Sequence, residues 1–218
     1  MSFEGILFWA LAIAAALGAV LLAVALRGAP ASEIARASAA GRFTAAIETA
    51  RREKPEERDD LLAAAIAAKH RRSFEEAAGW LRALLAEDPA DGEALLELGL
   101  VEAYRGRAGD ADARLREAAA QRADLSESIL LHRAFAALVA GDVARARHLF
   151  EEVEGPLETK LAVDVGPGEP AFAEWFLHAA ALWRAAGNPA RADWAWRKAV
   201  ESAPESLLPQ HVREILSS

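Results

Sequence analysis

Ala77, Ala111 and Ala146 stand 34 and 35 residues apart, and each is followed four positions on by a bulky side chain, Leu81, Leu115 or Phe150. Ala192 with Trp196 repeats the pair near the end of the chain. Residues i and i+4 share one face of an α-helix, so each pair sets a small contact beside a large one. Two antiparallel helices joined by a short turn approach closely only where small side chains meet. A unit built this way cannot bury its apolar face alone and must stack on neighbours of the same kind. Turn residues fall where such units need them. Gly41, Gly141 and Gly187 lie where helices stop, Asn188 before Pro189 fits an N-cap followed by Pro at N1, and Ser73 with Glu76 fits a capping box.

The fuller pattern is Ser73, Phe74, Ala77, Leu81, Leu84 and Pro89, then Gly106, Ala111, Leu115 and Ala118. Gly141, Ala146, Phe150 and Val153 follow, and then Trp183, Gly187, Ala192, Trp196, Ala199 and Pro204. It resembles the second half of the tetratricopeptide repeat, a helix-turn-helix unit of about 34 residues. The resemblance implies an all-α fold, a solenoid of helical hairpins with repeats over 58–153 and 173–206, the units starting near 58, 92, 127 and 173. A degenerate half-repeat at 32–57 carries Gly41, Phe43, Ala46 and Pro55, and a short amphipathic helix at 207–218 is expected to cap the last unit. Glu102 and Arg133 fall where the repeat expects apolar residues. Either the register slips there or the two charges pair between neighbouring units. An insertion at 154–172 breaks the period. Its Leu161 to Val165 stretch has strand-like content, and the flanking Gly and Pro residues argue against a continuous helix. A plain surface loop and a binding or lid loop are both open readings.

The resemblance also implies a concave face lined by the first helix of each unit. The contact positions are Leu62, Ile66, Leu96, Leu100, Leu131, Phe135, Leu177 and Ala181, with Lys69, Tyr104 and Arg184 toward the ends. The Lys and Asn clamp with which chaperone-binding members hold an acidic C-terminus is absent. An apolar row suits an amphipathic helix or extended hydrophobic segment of a partner protein. The same leucines packing internally is the alternative.

Ahead of the repeats, Gly5 to Leu26 is an uncharged apolar run between Glu4 and Arg27, after a four-residue tail at 1–4. As a helix it would span roughly 33 Å, against a bilayer core of about 30 Å. Its Leu, Ile, Phe and Val residues each favour insertion by about 0.3–0.6 kcal/mol. The expectation is a single-pass transmembrane helix at 5–26, with membrane lipid as one partner. Arg27, Arg36 and Arg42 follow the run while the tail has no Lys or Arg, which places the repeats in the cytoplasm. Ala29, Pro30 and Ala31 resemble a signal-peptide cleavage site, and a periplasmic orientation is the other reading. In layout the chain is similar to bacterial envelope-assembly adaptors, which implies an inner-membrane location.

The chain of 218 residues has no cysteine and a formal net charge of -8. Thiolate chemistry and thiolate zinc sites are excluded, and the charge argues against nucleic acid, whose phosphates need a basic face. His70, His132, His148, His178 and His211 show no metal-ligand spacing, and no phosphate loop, dinucleotide fingerprint or nucleophile elbow is present. No catalytic, cofactor-binding or metal site is expected, and the protein is read as a non-enzyme. The leading function is a membrane-tethered scaffold or adaptor that holds a partner segment in the repeat groove. The alternative is a self-associating structural module of a membrane complex, a homo-oligomer in which Ala10, Ala14 and Gly18 form a close-packing anchor face.

Overall fold

The computed structural model describes residues 32–161 and 172–217. The expected transmembrane run at 5–26 lies outside them, and no helix among the described residues is long and apolar enough to cross a membrane. Eleven α-helices are described: α1 Glu33–Ala39, α2 Phe43–Glu53, α3 Arg58–His70, α4 Phe74–Glu87, α5 Gly92–Tyr104, α6 Ala108–Gln121, α7 Ser126–Val139, α8 Val143–Leu161, α9 Ala173–Ala185, α10 Pro189–Ser202 and α11 Leu208–Ser217. They pair as hairpins α1/α2, α3/α4, α5/α6, α7/α8 and α9/α10, and the first helices α1, α3, α5, α7 and α9 stack in sequence along one side.

Each hairpin turns through one left-handed residue. Gly41, Gly106, Gly141 and Gly187 have φ between 71° and 81°, and Arg72 takes φ 63° at the same place in the α3/α4 hairpin. The bonding is the same at every turn. Gly106 N–H donates to the Ala103 carbonyl and Arg107 N–H to that of Glu102, and Arg72 and Ser73 do likewise to Lys69 and Ala68. This satisfies carbonyls that the end of a helix leaves open, and it favours glycine because a Cβ crowds the left-handed conformation.

The small residues meet inside. Ala77, Ala111, Ala146 and Ala192 are buried on the second helices, against Ala65, Ala134 and Ala180 on the first. At Gly99 the approach is closer still, because an added Cβ would lie 2.8 Å from Leu115 Cγ and 3.3 Å from the Ala111 carbonyl oxygen. Leu81, Leu115 and Phe150 are buried as the spacing requires. Trp196 departs from them: it is half-buried, and the Arg213 guanidinium of α11 lies 4.4 Å from its ring centre.

Four local expectations are corrected. Ser73 makes no side-chain cap, and Glu76 instead forms a two-pronged pair with Arg51 of α2, at 2.7 and 2.9 Å. Glu102 and Arg133 do not pair with each other. Glu102 receives Arg82, Arg105 and Arg107, while Arg133 and Arg145 converge on Asp112 of the preceding hairpin, so both charges are satisfied and the register holds. Burial pushes the Asp112 carboxyl up, but those arginines hold it below its ordinary value. The insertion does not open as a loop at 154, since α8 runs on to Leu161 through Gly155 and Pro156. A proline removes one backbone bond and kinks a helix without having to end it. Glu154 accepts the Trp183 indole N–H at 2.9 Å, which ties this part of α8 to α9, while 162–171 lie outside the described residues.

The fourth correction concerns α11, which does more than cap the last unit. The segment leading into it crosses to the first units: Leu207 N–H donates to the His70 carbonyl at 2.8 Å, and His70 Nδ1 meets Ser206 Oγ at 2.9 Å. Arg72 pairs with Glu214, His211 donates to the Tyr104 carbonyl, and Leu208 and Val212 are buried. Ala173 and Ala203 join the core of α1 to α5, so the two ends of the described solenoid share one interior.

Candidate functional site

The contact positions expected from the repeat do not form an open apolar row. Leu100, Tyr104, Leu131, Phe135 and Leu177 are each no more than 2% exposed, Leu96 is 9% exposed and Lys69 is fully buried. Leu62 and Ile66 are half-buried and Arg184 is exposed. Successive first helices turn these side chains toward one another and toward α9 and α11, and the row becomes core. That corrects the expectation of an exposed groove at those positions.

In place of the groove the inner helices enclose a continuous polar chain. Lys69 of α3 donates to Glu97 of α5 and to Glu174 of α9. Glu174 also accepts the Tyr104 hydroxyl proton at 2.8 Å. The Tyr104 oxygen lies 2.8 Å from His178 Nε2, His178 Nδ1 lies 2.8 Å from His132 Nδ1, and His132 Nε2 lies 3.1 Å from Ser128 Oγ. A carboxylate only accepts, so Tyr104 spends its one proton on Glu174 and must accept from His178 Nε2–H. His178 Nδ1 is then an acceptor, His132 Nδ1–H donates to it, and His132 Nε2 takes the Ser128 proton. Every proton along this path has one consistent position with both imidazoles neutral.

Electrostatics agree with that assignment. Burial drives His132 down to about 4 and His178 well below its ordinary value, while burial and the neighbouring Glu174 push the Tyr104 phenol well above its own. Burial alone would also raise Glu174, but Lys69 overcomes it and holds the carboxyl well below the usual range. Burial and the charge of Glu174 raise Glu97 despite Lys69. Lys69 is kept above its ordinary value because Glu174 and Glu97 together outweigh its burial. Phe135 stacks on His178 with ring centres 3.9 Å apart, closing the apolar side of the chain.

These are acid–base residue types, but Lys69, Tyr104, His132 and His178 are each no more than 3% exposed, and the chain approaches the surface at Glu97 and Glu174. The void beside Glu174, lined by His70, Leu177, Ser206 and Leu208, leaves no room for a water molecule. No group of three or more metal-ligating side chains occurs among the described residues. The arrangement is a clasp joining α3, α5, α7 and α9. The sequence trace of it is slight: Ser128 with His132 and Glu174 with His178, each pair one helical turn apart on otherwise apolar faces.

A concave surface that does stay open lies between α9, α10 and α11. It is a groove of about 630 Å³ floored by Ala180, Ala181 and Trp196 and flanked by Arg184, Arg197 and Arg213. Of the contact positions expected from the repeat, Ala181 and Arg184 line it, and Arg184 is bonded to Asp193 at 2.5 Å.

No protein-family model matches the chain, and no curated protein does. Solved structures do match. A thermophilic TPR protein of Thermus thermophilus, TTC0263, superposes with a TM-score of 0.51 at 21% identity, over 82% of this chain and 92% of that one. MamA MSR-1 superposes with a TM-score of 0.50 at 16% identity, over 79% and 93%. This chain therefore has an all-α, tetratricopeptide-like repeat fold.

Proposed function

We propose that the chain is a protein-interaction scaffold, tethered to a membrane through 5–26, whose partner segment docks at the last unit and not along the whole inner face. The observation that carries this reading is the contrast between a concave interior filled by its own side chains and the roomier open groove at α9 to α11, about 630 Å³ against about 360 Å³ for the depression beside Leu85 and Leu95. The repeat fold supports it in kind, since stacked helical hairpins build extended binding surfaces. Leu62 and Ile66, which reach the surface on α3, and Arg184 in the groove remain the expected contact residues nearest solvent. The apolar run supports the tether, and the arginines that follow it support a cytoplasmic domain.

Affinity purification of the full chain from detergent-solubilised membranes tests the reading. A foreign protein recovered in fixed ratio is the expected result. Recovery of the chain alone at a multiple of its own mass would replace the scaffold with a self-associating module. Release of the full chain by carbonate would remove the tether.

A further inference from the structure

The open groove carries charge of one sign on a chain of the other. The protein has a formal net charge of -8, yet the groove is lined by Arg184, Arg197 and Arg213 against the single carboxylate of Asp193. Asp193 is taken by Arg184 at 2.5 Å. Arg197 and Arg213 are exposed and, like Arg36, Arg42 and Arg147, have no carboxylate partner among the described residues; what sets this pair apart is that both line one groove. Arg213 lies instead over the Trp196 ring, 4.4 Å from its centre, which leaves its N–H edge available for a planar acceptor.

Apart from Ser217 the remaining lining is apolar: the buried Ala180 and Ala181, the face of Trp196, and Leu216, which is 39% exposed. Trp and Arg together are the residue types that dominate binding energy at protein interfaces, and arginine forks are matched to carboxylates. A volume of about 630 Å³ takes a short run of side chains and not the flank of a long helix.

We infer that this groove binds a short acidic peptide segment of the partner protein, with carboxylates on Arg197 and Arg213 and an apolar side chain against Trp196 and the alanine floor. The inference rests on the scaffold reading and names the partner's chemistry. Acidic-segment recognition by arginine clusters is one of the recurring peptide-binding modes. Nucleic acid would carry its phosphates beyond the groove and over a chain of net charge -8, whereas a short acidic segment stays within the groove, so nucleic acid is the less favoured occupant.

The test uses the full chain in detergent micelles and a fluorescein-labelled peptide of alternating Glu and Leu, read by anisotropy, with Lys–Leu and Gln–Leu counterparts and a short oligothymidylate as controls. Binding of the Glu–Leu peptide alone, weakened at least tenfold by Arg197→Gln with Arg213→Gln and weakened by added salt, is the expected result. Trp196→Leu should weaken it while leaving its salt dependence in place. Both arginines are exposed and glutamine keeps most of the stem, and an unchanged circular dichroism spectrum verifies the fold. The inference is overturned if the Glu–Leu peptide does not bind, if the double variant binds it equally well, or if the oligothymidylate binds as tightly and is lost in the same variant. Partner recovery from membranes separates the two levels: a partner that survives the double variant leaves the scaffold standing and removes the groove, whereas no partner with either protein removes the scaffold itself.

Discussion

Lowering the pH should destabilise this protein above the range in which carboxylates titrate, because burial holds His70, His132 and His178 neutral. His70 and His132 are driven by burial from 6.5 to about 4, and His178 is driven well below its ordinary value. Between those values the unfolded chain binds protons that the folded chain refuses, so stability is complete above about pH 6.5 and falls as pH falls. About pH 5 is about 1.5 units below the unfolded imidazole value, which at about 1.4 kcal/mol per unit is about 2 kcal/mol for each of His70 and His132. The two together approach about 4 kcal/mol, and His178 acts in the same direction. Glu97 works in the opposite sense, since its raised carboxyl lets the folded state take up a proton as pH falls, and the net loss is therefore smaller. A net loss of about 3–5 kcal/mol is a large share of the stability of a domain this size, typically about 5–15 kcal/mol. Urea denaturation of the full chain in micelles, followed by circular dichroism at about pH 7.5 and about pH 5, measures it. A midpoint that does not move between those conditions would refute the assignment of neutral, buried histidines. So would an equal loss in a His132→Asn, His178→Asn variant, which has nothing left to protonate at those two sites.

Lys69→Met should cost about 3–5 kcal/mol, because it leaves Glu97 and Glu174 buried beside each other without a cation. Adding Glu174→Gln should restore much of the denaturation midpoint, and no recovery would show that the pair is not the source of the loss. Gly99→Ala sets a gain in helix propensity of about 1 kcal/mol against a Cβ at 2.8 Å from Leu115 Cγ, and overpacking of about 1–3 kcal/mol should win. An unchanged or raised melting temperature would mean that α5 and α6 separate freely. Arg72→Gly removes a left-handed non-glycine residue at a strain of about 1–2 kcal/mol. Its exposed pair with Glu214 obscures the gain, so the comparison belongs in a Glu214→Gln background, where an increase of about 1 kcal/mol is expected and a decrease would contradict the strain.

The parts of this fold that could be read from the sequence are those whose interactions are local. Ala77 with Leu81 and Ala111 with Leu115 lie on single helices, and Gly141 and Gly187 end helices through bonds that reach back only a few residues. Arg72 escaped notice for the same reason in reverse, since arginine gives no sign of a left-handed turn that its four counterparts mark with glycine. The polar chain is non-local. Lys69 and Glu174 are 105 residues apart and His132 and His178 are 46, on helices of different units, so no spacing rule connects them. Burial of a lysine could not be foreseen either. Only the convergence of two carboxylates makes it tolerable, and both come from other helices.

The closed interior also limits what could ever replace α11. The chain entering and forming α11 meets the carbonyls of His70 and Tyr104 and the Nδ1 of His70, through Leu207, His211 and Ser206. A purely apolar helix inserted there would strand these groups, and each buried polar group left unpaired costs about 1–3 kcal/mol. An incoming segment would also have to displace Leu208 and Val212, which are no more than 1% exposed. At the α9 to α11 groove an acidic partner segment would meet none of these penalties at Arg197 and Arg213, which are exposed and would gain carboxylates on binding. On the proposed reading, selection between the two surfaces follows from desolvation: the interior would reject the apolar helix that the repeat pattern suggests, and the arginine-lined groove would accept an acidic segment at no comparable cost.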